Sequence, residues 1–104
     1  MVDAINAAFA TQNVNDAATI IDGELSVVLT APSDSTSDSL IEVVFATNLL
    51  IGKLPALDNI LVVNVYIVDN AGNKLADGFV FPNSVKTKTG VELAQGVIDG
   101  TIIY

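Results

Sequence analysis

The chain has 104 residues, the size of one domain with room for one hydrophobic core. It contains no Cys, His, Trp or Arg, which excludes disulfides and thiolate metal sites and removes the usual general base and the bidentate guanidinium clamp. Twelve acidic residues against four lysines give a net charge of −8, a field that repels phosphate backbones and anionic lipid surfaces.

Acidity does not mean disorder here, because 51% of the residues are hydrophobic and the mean hydropathy is +0.57. Only 15% are charged, against about 25% in ordinary domains, so some apolar surface is expected to meet a partner. No secretory signal is read: Asp3 stands where a positive region belongs, and Val2 to Ala10 is too short and mixed for its apolar stretch. The apolar span Leu40 to Val68 is interrupted by Glu42, Lys53, Pro55 and Asp58, so no membrane-spanning segment is expected.

Val2, Ile5 and Phe9 stand at helical spacing among alanines, with Asp3 placed to suit the helix dipole. This predicts a short amphipathic helix that either packs on the domain's own sheet or acts as a detachable arm. Residues 11–16 are polar. The division expected is therefore an N-terminal helix or arm with its linker over 1–16, and a β domain over 17–104.

Asp22-Gly23 between two apolar runs predicts a hairpin with strands over 17–21 and 24–30, stopped at Ala31-Pro32. Ser33 to Ser39 reads as an exposed polar loop. A calcium site on Asp34 and Asp38 is the functional alternative, but their spacing is not that of an EF-hand.

Leu40 to Ile51 and Asn59 to Val68 are read as the two central strands. Ile41, Val43, Phe45, Thr47 and Leu49 alternate along the first, and Leu61, Val63, Val65 and Ile67 along the second. Asp69-Asn70-Ala71-Gly72-Asn73 predicts a second hairpin, with a returning strand from Lys74 to Phe81, a bulge at Asp77-Gly78 and a stop at Pro82. The span 60–81 resembles the long hairpins of immunoglobulin-like and related β-sandwich modules, a likeness confined to that fifth of the chain. Val85, Thr87 and Thr89 alternating with Lys86 and Lys88 predict a charged edge strand, and Val97 to Tyr104 a last turn and strand.

The predicted fold is all-β: an antiparallel sandwich or partly closed barrel of about six to eight strands with a short N-terminal helix or arm. No catalytic, cofactor-binding or metal-ligating residue is assigned. Asp22, Asp58, Asp69, Asp77 and Asp99 each fall at a turn or bulge where local backbone hydrogen bonding suffices to explain them, and Glu24, Glu42 and Glu92 are brought together by no spacing. The functional expectation is a non-enzymatic structural subunit without cofactor, most specifically a decoration protein on a virus capsid. It would self-associate as a dimer or trimer and contact a larger protein lattice, but neither nucleic acid nor membrane. An extracellular or appendage-associated β-sandwich adhesion module is the alternative, and a small cytosolic adaptor the second.

Overall fold

The computed structural model describes residues 1–104 and contains four α-helices and one five-stranded mixed sheet. The all-β sandwich is thereby overturned: 42% of the chain is helical, and the architecture is an α/β arrangement with a single sheet. Helix α1 spans Val2–Ala10, followed by β1 (Ala18–Ile21), β2 (Glu24–Thr30), α2 (Ser37–Ile51) and a 3-10 turn at Pro55–Leu57. Then come β3 (Val63–Val68), β4 (Lys74–Val80), α3 (Pro82–Thr87), α4 (Gly90–Gly100) and β5 (Ile102–Ile103). The longest helix, α2, has 15 residues, and no helix is long and apolar enough to cross a membrane.

The strands lie side by side in chain order, β1 to β5. All neighbours are antiparallel except β2 and β3, which run parallel. A parallel pair needs a crossover between its strands, and α2 supplies it. The first hairpin is as expected: Asp22 and Gly23 both adopt positive φ (51° and 79°), and Ile21 pairs with Glu24 across a two-residue turn. Asp69 forms the second reversal, its carboxylate accepting from the Ala71 and Asn73 amides at 2.9 Å each.

The main correction is at Leu40 to Ile51, which is helix and not strand. Its buried residues are Leu40, Val44, Thr47, Asn48 and Ile51, a spacing that follows one helical stripe. Two of the five are polar, and apolar Ile41, Phe45 and Leu49 lie off the stripe, so alternation masked the longer period. The cause is position: α2 lies between α1 and α4 and packs on both as well as on β4, so apolar residues are useful on several of its sides. The polar run before it is partly a helix start, since the Thr36 hydroxyl caps the Ser39 amide at 3.1 Å.

The expected edge strand at 85–89 is likewise helical. Pro82 opens α3 at a position where its missing amide costs nothing, and buried Val85 lies against Gly52. Lys86 pairs with Asp58 rather than guarding a sheet edge. Thr89 and Glu92 form a reciprocal capping box that starts α4, so only Ile102 and Ile103 of the predicted last strand belong to the sheet. The sandwich-like span 60–81 does contain the hairpin β3–β4, but within this single sheet.

Nineteen buried hydrophobic residues form one core cluster. Ile5 and Phe9 of α1 belong to it, at 0% and 5% exposure, and the Asn6 side-chain carbonyl holds the Ala18 amide at 2.8 Å. The helix is thus joined to β1 by packing and by hydrogen bonding.

Candidate interaction surface

Strand register decides which side chains share a face of the sheet. Val27, Val65 and Gly78 are partners across β2, β3 and β4, and the Val44 side chain of α2 lies directly over Gly78, so this is the helix-covered face. Val28, Tyr66 and Asp77 are partners one residue along, and Asp77 is in turn opposite Ile102. They belong to the other face, on which no helix packs.

This open face mixes apolar with polar side chains, Thr19, Ser26, Thr30 and Asn64 sharing it by register. Ile21, Val28, Val68 and Phe79 are half-buried there, whereas Ile102 and Tyr104 are 52% and 63% exposed. Phe79 stacks on Phe81, with ring centroids 6.0 Å apart. At the Asn64 end of the face, the Asn64 amide donates to a Glu24 carboxylate oxygen at 3.1 Å.

At the Val68 end is a four-residue cluster. The Lys74 ammonium lies 5.1 Å from the centre of the Tyr66 ring and 5.7 Å from that of Tyr104, within the range of cation–π attraction. It also pairs with the Asp77 carboxylate at 3.4 Å, and the Tyr104 hydroxyl donates to the same oxygen, Asp77 Oδ2. Hydrogen bonding to Asp77 raises both Lys74 and Tyr104 above their ordinary pKa values, because the carboxylate accepts from the protonated form of each.

Lys74 and Asp77 are three residues apart, a spacing that would put them on opposite faces of a regular strand. A bulge resolves this. Ile67 pairs with Ala76 and Val68 with Lys74, leaving Leu75 as the extra residue, so the irregularity lies here and not at the expected Asp77-Gly78. Gly78 serves a different end: the close seating of α2.

The remaining acidic residues are dispersed. Asp22 occupies a turn, Asp99 accepts from Gln95 at 2.9 Å on α4, Asp38 lies in the first turn of α2, and Glu42 is exposed on the same helix. Asp69 and Glu92 are held below the ordinary carboxylate range chiefly by backbone amides, of Asn73 and Thr89 respectively. No three acidic residues come together in a group that could hold a metal ion. No local sequence pattern links Tyr66, Lys74, Asp77 and Tyr104: the Lys74/Asp77 spacing is visible in the chain, but the bulge that makes it meaningful and the return of Tyr104 are not.

Comparison of the chain with protein-family models, with curated proteins and with solved structures gives no match.

Proposed function

We propose that this protein is a non-enzymatic subunit of a protein assembly, and that it associates through the open face of its sheet with a second copy of itself. The single observation that carries this reading is the one-sided sheet: α1, α2 and α4 pack against its strands from one side, while the other presents Ile21, Val28, Tyr66, Val68, Phe79, Ile102 and Tyr104 among polar side chains with no helix over them. Such a face loses apolar area from water when a partner covers it. Tyr66 and Tyr104 add the rigid, amphipathic aromatic area favoured at interfaces. In a molecule measuring 34 × 29 × 26 Å, one face is large enough to supply the roughly 800 Å² per partner of a standard interface.

Charge favours self-pairing. Lys74, near Val68, and Glu24, near Asn64, lie toward opposite corners of the three central strands. A twofold-related copy can set each Lys74 against the Glu24 of the other. Decoration of a larger shell is the form of assembly favoured by the sparse charge and the residue types the chain lacks; its test is whether the chain is recovered from its native source in a high-mass particle.

Light scattering coupled to size-exclusion chromatography tests the association itself. The wild type is expected to show a dimer or larger species that dissociates on dilution, and Ile102→Lys a folded monomer. A wild-type chain that stays monomeric at the highest concentrations, with unchanged behaviour in Ile102→Lys, overturns the reading.

A further inference from the structure

Between α1 and α2, on the helix-covered side of the sheet, runs a groove of about 820 Å³. This is within the roughly 300–1,000 Å³ of small-molecule sites. Phe9 and Val14 line one side, Val43, Ala46 and Leu50 of α2 the other, and Leu29 of β2 lies between them. The groove meets the open face only along β2, where Val28 also borders it, and none of Tyr66, Lys74, Asp77 or Tyr104 reaches it.

Its charge is the unusual feature. The chain carries twelve acidic residues and four lysines, yet none of the sixteen lines the groove. The polar lining is neutral: Gln12, Asn13, Asn15, Thr30 and Thr47. The Thr47 hydroxyl is already committed to the Val43 carbonyl at 2.8 Å. The Gln12 amide likewise donates to the Thr11 hydroxyl at 3.4 Å, which leaves Asn13, Asn15 and Thr30 to receive a ligand's polar end.

The sheet supplies a further polar group. Strand β1 pairs with β2 only as far as Val27, and the Ala17 carbonyl takes the Val28 amide at 2.9 Å. Leu29 and Thr30, paired on their other side with β3, therefore extend past the end of β1 and border the groove with no strand on that side. By the alternation of an antiparallel ladder, the backbone groups of Thr30 face this vacant side. The wall opposite is pre-formed, because the amides of Gln12 and Val14 both bond the Phe9 carbonyl, at 2.9 and 3.1 Å, and tie the connecting loop to the end of α1.

We propose that this groove binds an uncharged lipophilic small molecule, an aliphatic chain with a neutral hydrogen-bonding end such as a long-chain alcohol. Aliphatic and aromatic walls take the chain, and Asn13, Asn15 and the Thr30 edge take the head. A charged head is disfavoured, since it would leave water for a site holding no counter-charge.

The test uses the full chain and the neutral fluorescent probe N-phenyl-1-naphthylamine, displaced by dodecanol, dodecanoate or dodecylamine. Saturable binding at one site is expected, with dodecanol the best competitor. Ala46→Trp, which fills the groove from a solvent-exposed helix position, should weaken binding by at least about ten-fold while the circular dichroism spectrum is unchanged. Ile102→Lys, on the open face, should leave binding as it is. Absence of saturable binding, undiminished binding in Ala46→Trp, or equal competition by the charged amphiphiles overturns the proposal. Should Ala46→Trp fail to fold, Val43→Trp replaces it with the same expected loss.

Discussion

The Val44 side chain occupies the space that a Cβ on Gly78 would need: its Cγ atoms lie 2.7 and 2.9 Å from that position, closer than real side chains approach. Helix α2 rests on β4 at this point, and the absence of a side chain on Gly78 sets how near the two layers come. Gly78→Ala is expected to destabilise by about 1–3 kcal/mol through overpacking. In a double-mutant cycle by urea unfolding, Val44→Ala should relieve part of that loss. Strict additivity of the two substitutions would show that the contact does not set the layer spacing.

Asn48 is expected to be as sensitive as a large apolar core residue. It is 2% exposed, and its amide donates to the carbonyls of Val44 at 2.8 Å and Phe79 at 3.1 Å. β5 pairs only with Ala76 and Asp77, so the Phe79 carbonyl lies beyond its end and relies on Asn48. Asn48→Leu leaves that acceptor unpaired against an apolar side chain and should cost about 1–3 kcal/mol. For a chain of this size the same loss lowers the thermal midpoint by at least about 4 °C. A midpoint within experimental error of wild type would mean that water replaces the amide without loss.

Helix α1 should prove indispensable for folding. Ile5→Ala and Phe9→Ala each remove a core side chain and are expected to cost about 2–5 kcal/mol, a large part of the 5–15 kcal/mol typical of whole domains. Deletion of residues 1–13 removes both, together with the Asn6 tie to Ala18, and should give a chain without cooperative unfolding. A sharp, wild-type-like transition in the truncated protein would establish the segment as a separable arm.

Stability should fall at both ends of the pH scale. Lys74 and Tyr104 hold their protons more tightly in the folded state, so their contribution is complete below the ordinary values near 10 and is lost as pH rises through the raised ones. Asp69 and Glu92 are depressed, so theirs is present above the ordinary carboxylate values near 4 and is lost as pH falls through the lowered ones. Urea midpoints measured across the range check the shape. Asp77→Asn should flatten the alkaline limb; an unaltered alkaline limb would assign it to other groups.

Local chemistry explains which elements were legible in the sequence. Ile5 and Phe9 at i and i+4 among alanines specify α1 without help from the rest of the chain, and Asp22-Gly23 specifies a two-residue hairpin because few residues accept positive φ. Thr89 and Glu92 carry an equally local helix signal, the capping box, but it is overlaid by the strand-like alternation of Val85, Thr87 and Thr89. Helix α2 is different in kind. Its buried stripe includes Thr47 and Asn48, and Asn48 belongs in the interior only because the Phe79 carbonyl is there to receive it.

By itself the sequence determined the absence of Cys and His chemistry, the acidic field, α1 and the two hairpin turns, since each depends on residue type or on neighbours a few positions apart. The tertiary structure alone decided that the central apolar run is a helix crossing between parallel strands, that α1, α2 and α4 pack on one face, and that Lys74, Tyr66, Asp77 and Tyr104 meet on the other. These depend on contacts between residues up to dozens of positions apart, where burial and close packing outweigh local preference.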